Sequence, residues 1–280
     1  MDVLLTGTYG RCGTALIDHL HDDPAYEFTH LNRSDRPDDH EYGGYETVVA
    51  DIADGEAVES ASDGQDAMIH LAGYPYTDGT WTDILEPNIL GMVNALEAAR
   101  THELETVVFG STNHVMGMYE VENAPELYTG TDVPFRLSAG DPVRPDSYYG
   151  VSKSFGEDIG RYYVENFEYP KRFHAIRICS VRMPEYDHPY GDAEAGVDDG
   201  KFDRNSDEYA HQVGRMKAMW QSRRDFAHMI DCCLQDSGTG FEIFNGVSDN
   251  ERRWYSIENA RERIGYEPQD NGESWNAPPE

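Results

Sequence analysis

Glycines at positions 7, 10 and 13 constrain this chain more than any other feature. They lie in Thr6-Gly7-Thr8-Tyr9-Gly10-Arg11-Cys12-Gly13, directly after an apolar run, Asp2-Val3-Leu4-Leu5-Thr6. Helical periodicity starts at Arg11 and runs over 11–21. A strand that ends in glycine and passes at once into a helix presents backbone N–H groups at the helix N-terminus, where the peptide dipole favours an anion. Glycine closes the turn and lets a pyrophosphate approach the backbone. A triplet placed after a strand and before a helix, with further strand–helix pairs behind it, reads as a dinucleotide-binding turn.

The rest of the chain repeats the alternation. Strands are predicted over 28–32, 47–50, 67–71, 106–110, 173–179 and 241–244. Helices are predicted over 80–100, 147–167, 208–221, 223–235 and 256–264. This order implies βαβ units and an α/β fold, a Rossmann-like doubly wound parallel sheet with a small C-terminal substrate lobe. The 280 residues suit one such unit, with 1–180 mainly holding cofactor and 181–280 mainly shaping the substrate lobe. Two polar stretches, 114–146 and 184–207, read as irregular. Both are too long for idle connections and are expected beside the active site.

Charge excludes several functions. Asp plus Glu number 53 against 22 Lys plus Arg, a net charge of -31, so nucleic acid phosphates would be repelled. Hydrophobic residues at 39% exclude an acidic disordered chain. The acid is spread along the whole sequence and lysine is scarce, a composition that resembles halophilic proteins working in molar salt. Cys12, Cys179, Cys232 and Cys233 lack metal-site spacing and are expected as free thiols in a reducing, cytoplasmic setting. No metal site and no membrane span are expected.

Only four lysines occur, and Lys153 stands four residues after Tyr149 in a predicted helix. That spacing puts both on one face. A phenol is a poor base at neutral pH, and a neighbouring ammonium favours the phenolate. Tyr149 could then accept an alcohol proton while hydride leaves the same carbon. Arginine's planar fork would not replace Lys153 there. Ser111 and Thr112, at the end of the fifth strand, could polarise the reacting oxygen. The second strand ends in Leu31-Asn32-Arg33-Ser34-Asp35. An acid there bonds the adenosine ribose and an arginine accommodates a 2′-phosphate, so Asn32, Arg33 and Ser34 favour NADP, with NAD possible. Asp51, closing the third strand, is placed for the adenine amino group, with Ile52 beside it.

Together, the glycine turn, the Ser/Thr after strand five and Tyr-x-x-x-Lys resemble the extended short-chain dehydrogenase/reductase superfamily over nearly the whole chain. The resemblance implies that Tyr149, Lys153 and Thr112 are catalytic. It also implies that Tyr9, Arg11 and Cys12 of the turn touch the cofactor, that Leu71, Ala72 and Gly73 line it, that Asn88 supports the lysine through a water, and that Ile178 offers backbone to the nicotinamide amide. The segments GSTNHVMGMYE, RPDSYYGVSKSFGED, RMKAMWQSRRDF and VSDNERRWYS are similar to the uronate dehydrogenase branch, which includes haloarchaeal sugar dehydrogenases. That branch oxidises the C1 hydroxyl of a cyclic sugar to a lactone. The likeness implies that Asn113 and Ser180 bond sugar hydroxyls and that Arg215 matches a carboxylate-binding arginine. It also implies that Asp225 serves a structural salt bridge. Two departures, Pro75 in place of a hydroxyl donor and the acidic 184–207 stretch, favour a neutral aldose such as L-arabinose. Alternatives are a uronate or glucose 6-phosphate dehydrogenase, a sugar-nucleotide epimerase, and a silent cofactor-binding regulator. The superfamily implies a homodimer through the two long helices.

The charge leads to a first prediction. Screening of -31 charges by salt should raise the melting temperature steeply between dilute buffer and molar KCl. Equal stability in both would refute the halophilic reading.

Overall fold

The computed structural model describes residues 1–238 and 240–279, and in it seven parallel strands form one sheet. They are β1 (Asp2–Thr6), β2 (Glu27–Asn32), β3 (Thr47–Val49), β4 (Ala67–His70), β5 (Thr106–Thr112), β6 (Arg172–Ile178) and β7 (Phe241–Gly246), in the spatial order β3-β2-β1-β4-β5-β6-β7. β4 and β5 are buried along their full length, as a sheet covered on both faces requires. The order reverses between β1 and β4. Register aligns Thr6 with Leu31 on one side and with His70 on the other, so the loops after three strands open into one crevice.

The helices are α1 (Arg11–Leu20), α2 (Gly55–Ala61), α3 (Trp81–Ile84), α4 (Gly91–Thr101), α5 (Gly117–Asn123), α6 (Tyr148–Asn166), α7 (Gly191–Asp198), α8 (Asp207–Met219), α9 (Arg223–Gln235) and α10 (Glu258–Ile264). α1 and α9 cover one face, with Leu16, Leu20, Phe226 and Ile230 in its core. α4 and α6 cover the other, with Met92, Ala95, Leu96 and Tyr163 in the core. β7 and α9 come from the later part of the chain yet complete the main sheet and its cover. No described helix is long and apolar enough to cross a membrane.

Four expectations change. The helix read over 80–100 is interrupted: α3 passes through a π-helical segment, Leu85–Leu90, before α4 begins. Pro87 supplies the cause, because it has no N–H to donate within an α-helix. α2 escaped notice because Val58 is its one buried residue, leaving no apolar stripe to read. α5 and α7 fold inside the stretches read as irregular. α5 buries Gly117 and Glu120, and α7 buries Gly191, Ala193, Glu194 and Gly196, so glycine and acid hide the usual helix signature. On the α6 side, Trp81, Leu85, Leu90, Tyr148 and Val151 remain exposed, next to where the sequence puts a dimer contact.

α6 closes tightly on the sheet. A Cβ on Gly156 or Gly160 would fall 2.4 Å from the Phe109 ring or 2.3 Å from the Phe173 ring. Between them, buried Glu157 accepts from Arg177 of β6 at 2.9 and 2.8 Å and from the Ser111 hydroxyl of β5 at 2.6 Å. Arg177 also donates to the Ala139 carbonyl at 3.2 Å.

Arg177→Met would strand the Glu157 carboxylate in the core. A loss of about 3–5 kcal/mol in urea unfolding is expected in molar KCl. A change under about 1 kcal/mol would contradict the structural weight given to this pair.

Candidate active site

The sheet's reversal point holds a cleft of about 1140 Å³. At its floor, Gly7 has φ +78°, and a Cβ there would lie 2.7 Å from the Ala72 nitrogen. A Cβ on Gly13 would lie 2.2 Å from the Thr8 carbonyl. Side chains would therefore fill the cradle. Gly10 begins α1 with no side-chain cap, so the first-turn N–H groups have no internal anion to satisfy them. Tyr9, Arg11 and Cys12 line the same floor. These features fit a dinucleotide pyrophosphate.

At one end the wall is Asn32, Arg33 and Ser34 after β2, with Asp51 and Ile52 after β3. The Asn32 amide donates to the Ser34 carbonyl at 2.9 Å, and Arg33 is exposed. Asp35 is engaged locally, accepting from the Tyr9 hydroxyl at 3.3 Å and the Arg36 nitrogen at 2.7 Å. Arg36 lies over the Tyr9 ring at 5.3 Å. Asp51 accepts from the Ala53 nitrogen at 2.9 Å. Leu71, Ala72, Gly73 and Ile178 line the middle.

Asn88 shares the surroundings of Gly73 with Lys153: a Cβ on Gly73 would lie 2.9 Å from the Asn88 Oδ1 and 3.7 Å from the Lys153 ammonium. Asn88 lies behind the wall, in the π-helical segment, and grips the Tyr74 backbone at 2.6 and 3.1 Å and the Ser152 hydroxyl at 2.9 Å. Its amide therefore holds the bend after Gly73 and does not line the cleft. Ser111 does line it, but its hydroxyl is committed to Glu157.

Tyr149 and Lys153 meet at the inner end, 9% and 5% exposed. The Lys153 ammonium lies 4.7 Å from the Phe109 ring centre and 6.0 Å from that of Tyr149. Burial lifts the Tyr149 phenol to about 12, against the opposing pull of the Thr112 side chain. Burial also lowers the Lys153 ammonium to about 8. Charges beside Tyr149, from the lysine and from a nicotinamide ring, would favour the phenolate. In the folded chain, desolvation is the larger effect and drives both groups toward neutrality.

Asn113 is buried at the substrate end, and its side-chain Nδ2 has no hydrogen-bond partner among the described residues. Ser180 lies close by on the cleft wall, and Arg215 reaches it from α8. Arg215 is paired from behind, donating to Glu120 of α5 at 2.6 and 3.3 Å. The Tyr128 hydroxyl donates to the same carboxylate at 2.5 Å.

The sequence reading overlooked several neighbours. His114 lines the cleft, with its Nδ1 2.7 Å from Asp146 and its ring centre 6.0 Å from that of Tyr149. Its position two residues after Thr112 was the available signal. Arg182 lines the cleft and pairs with Asp192 of α7. Among the described residues Asp225 pairs with no arginine; it accepts from Ser248 at 2.6 Å and from the backbone of Gln269 and Asp270 at 2.8 and 3.0 Å. The ion pair nearby is buried Arg223 with the exposed Asp18. No cluster of three or more His, Cys, Asp or Glu suited to a metal occurs among the described residues.

The lowered Lys153 pKa has a sign. The folded chain holds fewer protons than the unfolded one between about pH 8 and the ordinary lysine value of 10.5, so this residue's contribution to stability improves as pH rises through that window. Below it, a buried ammonium is a burden. Lys153→Met should stabilise the protein without cofactor at pH 7 by about 1–3 kcal/mol, with the gain shrinking toward pH 10. Destabilisation at pH 7 would contradict this.

Comparison with known proteins agrees with the geometry. Residues 3–234 match the NAD dependent epimerase/dehydratase family. The NAD-dependent glucose-6-phosphate dehydrogenase of Haloferax volcanii is 37% identical over 275 residues, covering 96% of this chain and 93% of that protein. The L-arabinose 1-dehydrogenase (NAD(P)(+)) of the same organism is 30% identical, covering 96% of each. A mutant uronate dehydrogenase from Agrobacterium tumefaciens, solved in complex with NAD, superposes with a TM-score of 0.73 at 28% identity, covering 98% of this chain and 86% of that one. The chain belongs to the NAD dependent epimerase/dehydratase family, in the sugar dehydrogenase branch that contains the uronate dehydrogenases.

Proposed function

We propose that this chain is an NAD(P)-dependent aldose 1-dehydrogenase that oxidises the C1 hydroxyl of a neutral cyclic sugar, L-arabinose or a close relative, to its lactone. The observation that carries the reading is the convergence of Tyr149, Lys153 and Thr112 beside the unpartnered amide of buried Asn113 in one cleft. A buried amide donor left without a partner costs about 1–3 kcal/mol, and a sugar hydroxyl would supply the acceptor.

In this reading Thr112 holds O1, Tyr149 takes the O1 proton, and the C1–H bond breaks as C1 becomes a carbonyl carbon. A bound oxidised nicotinamide supplies the hydride acceptor and a positive charge. That charge and the Lys153 ammonium oppose the burial that disfavours the Tyr149 phenolate. Asn113 and Ser180 orient the ring. Arg33, with no free acid at the end of β2, supports a preference for NADP over NAD.

The 37% identity to a glucose-6-phosphate dehydrogenase supports a second reading, an aldose phosphate as substrate. Turnover at 340 nm in molar KCl separates the two. L-arabinose, D-galactose, D-glucose, glucose 6-phosphate, glucuronate and galacturonate would each be tested with NAD and NADP. A neutral sugar with NADP is expected to give the highest kcat/KM, and Tyr149→Phe to lower kcat by at least about 100-fold while cofactor still binds. Preference for glucose 6-phosphate would establish the second reading. Near-native turnover by Tyr149→Phe would remove the tyrosine from its role.

A further inference from the structure

Two arginines face the substrate end of the cleft, Arg182 and Arg215. Each is met by a carboxylate from a segment that the sequence left irregular: Asp192 of α7 for Arg182 and Glu120 of α5 for Arg215. The second pair is the more enclosed, with side chains 20% and 11% exposed for Arg215 and Glu120. Glu120 takes the arginine's Nε at 2.6 Å, and the Tyr128 hydroxyl at 2.5 Å fixes the carboxylate from the far side. Burial works against the Glu120 charge, but Arg215 and Tyr128 hold its carboxyl below the usual range. The pair is thus ionised and internally neutral.

We infer that Glu120 is a specificity-determining residue: it neutralises Arg215 from behind, so the cleft meets the substrate with hydrogen-bond donors and no net charge at that point, selecting neutral aldoses over sugar acids. The inference rests on the sugar dehydrogenase reading above and deepens it. An anionic substrate would have to share Arg215 with a carboxylate already bound at hydrogen-bond distance. The local dielectric is low and bulk salt screens a buried pair poorly. Removing the Glu120 charge would release the guanidinium for an incoming carboxylate, whose two oxygens match its fork. Glu120 does not touch the substrate in this arrangement. It acts through Arg215.

The test compares wild type with Glu120→Gln in molar KCl, using L-arabinose and galacturonate with the same cofactor. The wild type is expected to favour L-arabinose. The variant's ratio of kcat/KM for L-arabinose over galacturonate should fall at least tenfold, mainly through a lower KM for the acid. A variant that loses activity on both sugars in parallel, ratio unchanged, would mean Glu120 only supports the fold and would overturn the inference while leaving the dehydrogenase reading intact. A wild type that prefers galacturonate would overturn it too.

If Glu120→Gln fails to fold, the wild type still decides. Galacturonate at ten times the L-arabinose KM should leave L-arabinose oxidation unchanged, and strong competitive inhibition would overturn the proposal. If the wild type oxidises no sugar, the dehydrogenase reading fails. Galacturonate binding alone, followed by thermal shift, would then be expected for Glu120→Gln and not for wild type; equal shifts would overturn the inference.

Discussion

A buried ion pair between Glu157 and Arg177 organises the catalytic half of this molecule. Removing two charges from water is expensive, and the attraction between them compensates only when their remaining hydrogen-bond positions are also used. Here Ser111 fills one carboxylate position and the Ala139 carbonyl one guanidinium position. The contacts bind α6 to β5, to β6 and to the long segment after β5 at a single point. Lys153 lies about one helical turn before Glu157, and Tyr149 about two. Thr112 follows Ser111 directly. A shift at the pair would therefore move the proposed base, its lysine and the hydroxyl opposite them together.

Desolvation gives the cleft its chemical character. It pushes Tyr149 up and Lys153 down, each toward its neutral form. At neutral pH the phenol therefore keeps its proton, and an added positive charge in the cleft would favour the phenolate. The same economy recurs at the substrate end, where Arg182 and Arg215 are each matched by one acid. On a chain with net charge -31, these acids differ from the diffuse surface excess in being partly or fully buried, directed and paired.

Several features were legible in the sequence because they depend on neighbours along the chain. The glycine spacing after β1 is local: a turn that admits no Cβ can be recognised without knowing what surrounds it. The one-turn offset of Tyr149 and Lys153 is likewise a property of any helix. The alternation of short apolar runs with amphipathic stretches led to the parallel sheet, and of the residues assigned to the site, only Asn88 lies away from the cleft wall. α2, α5 and α7 were not legible, because acid and glycine fill them and too few apolar positions mark a buried face.

The sequence by itself determined the fold class, the nucleotide turn and the Tyr149–Lys153 face, since periodicity, glycine sterics and i to i+4 spacing act over a few residues. Only the tertiary structure decided how charges compensate. Glu120 lies 95 residues before Arg215, and Asp18 lies 205 before Arg223. No local rule links such positions; the turn at Glu126–Tyr128, which contacts both α5 and α8, and the packing of α1 against α9 bring them together. Tyr149 and Lys153 were named from spacing, but their protonation was set by burial, a property of the assembled core.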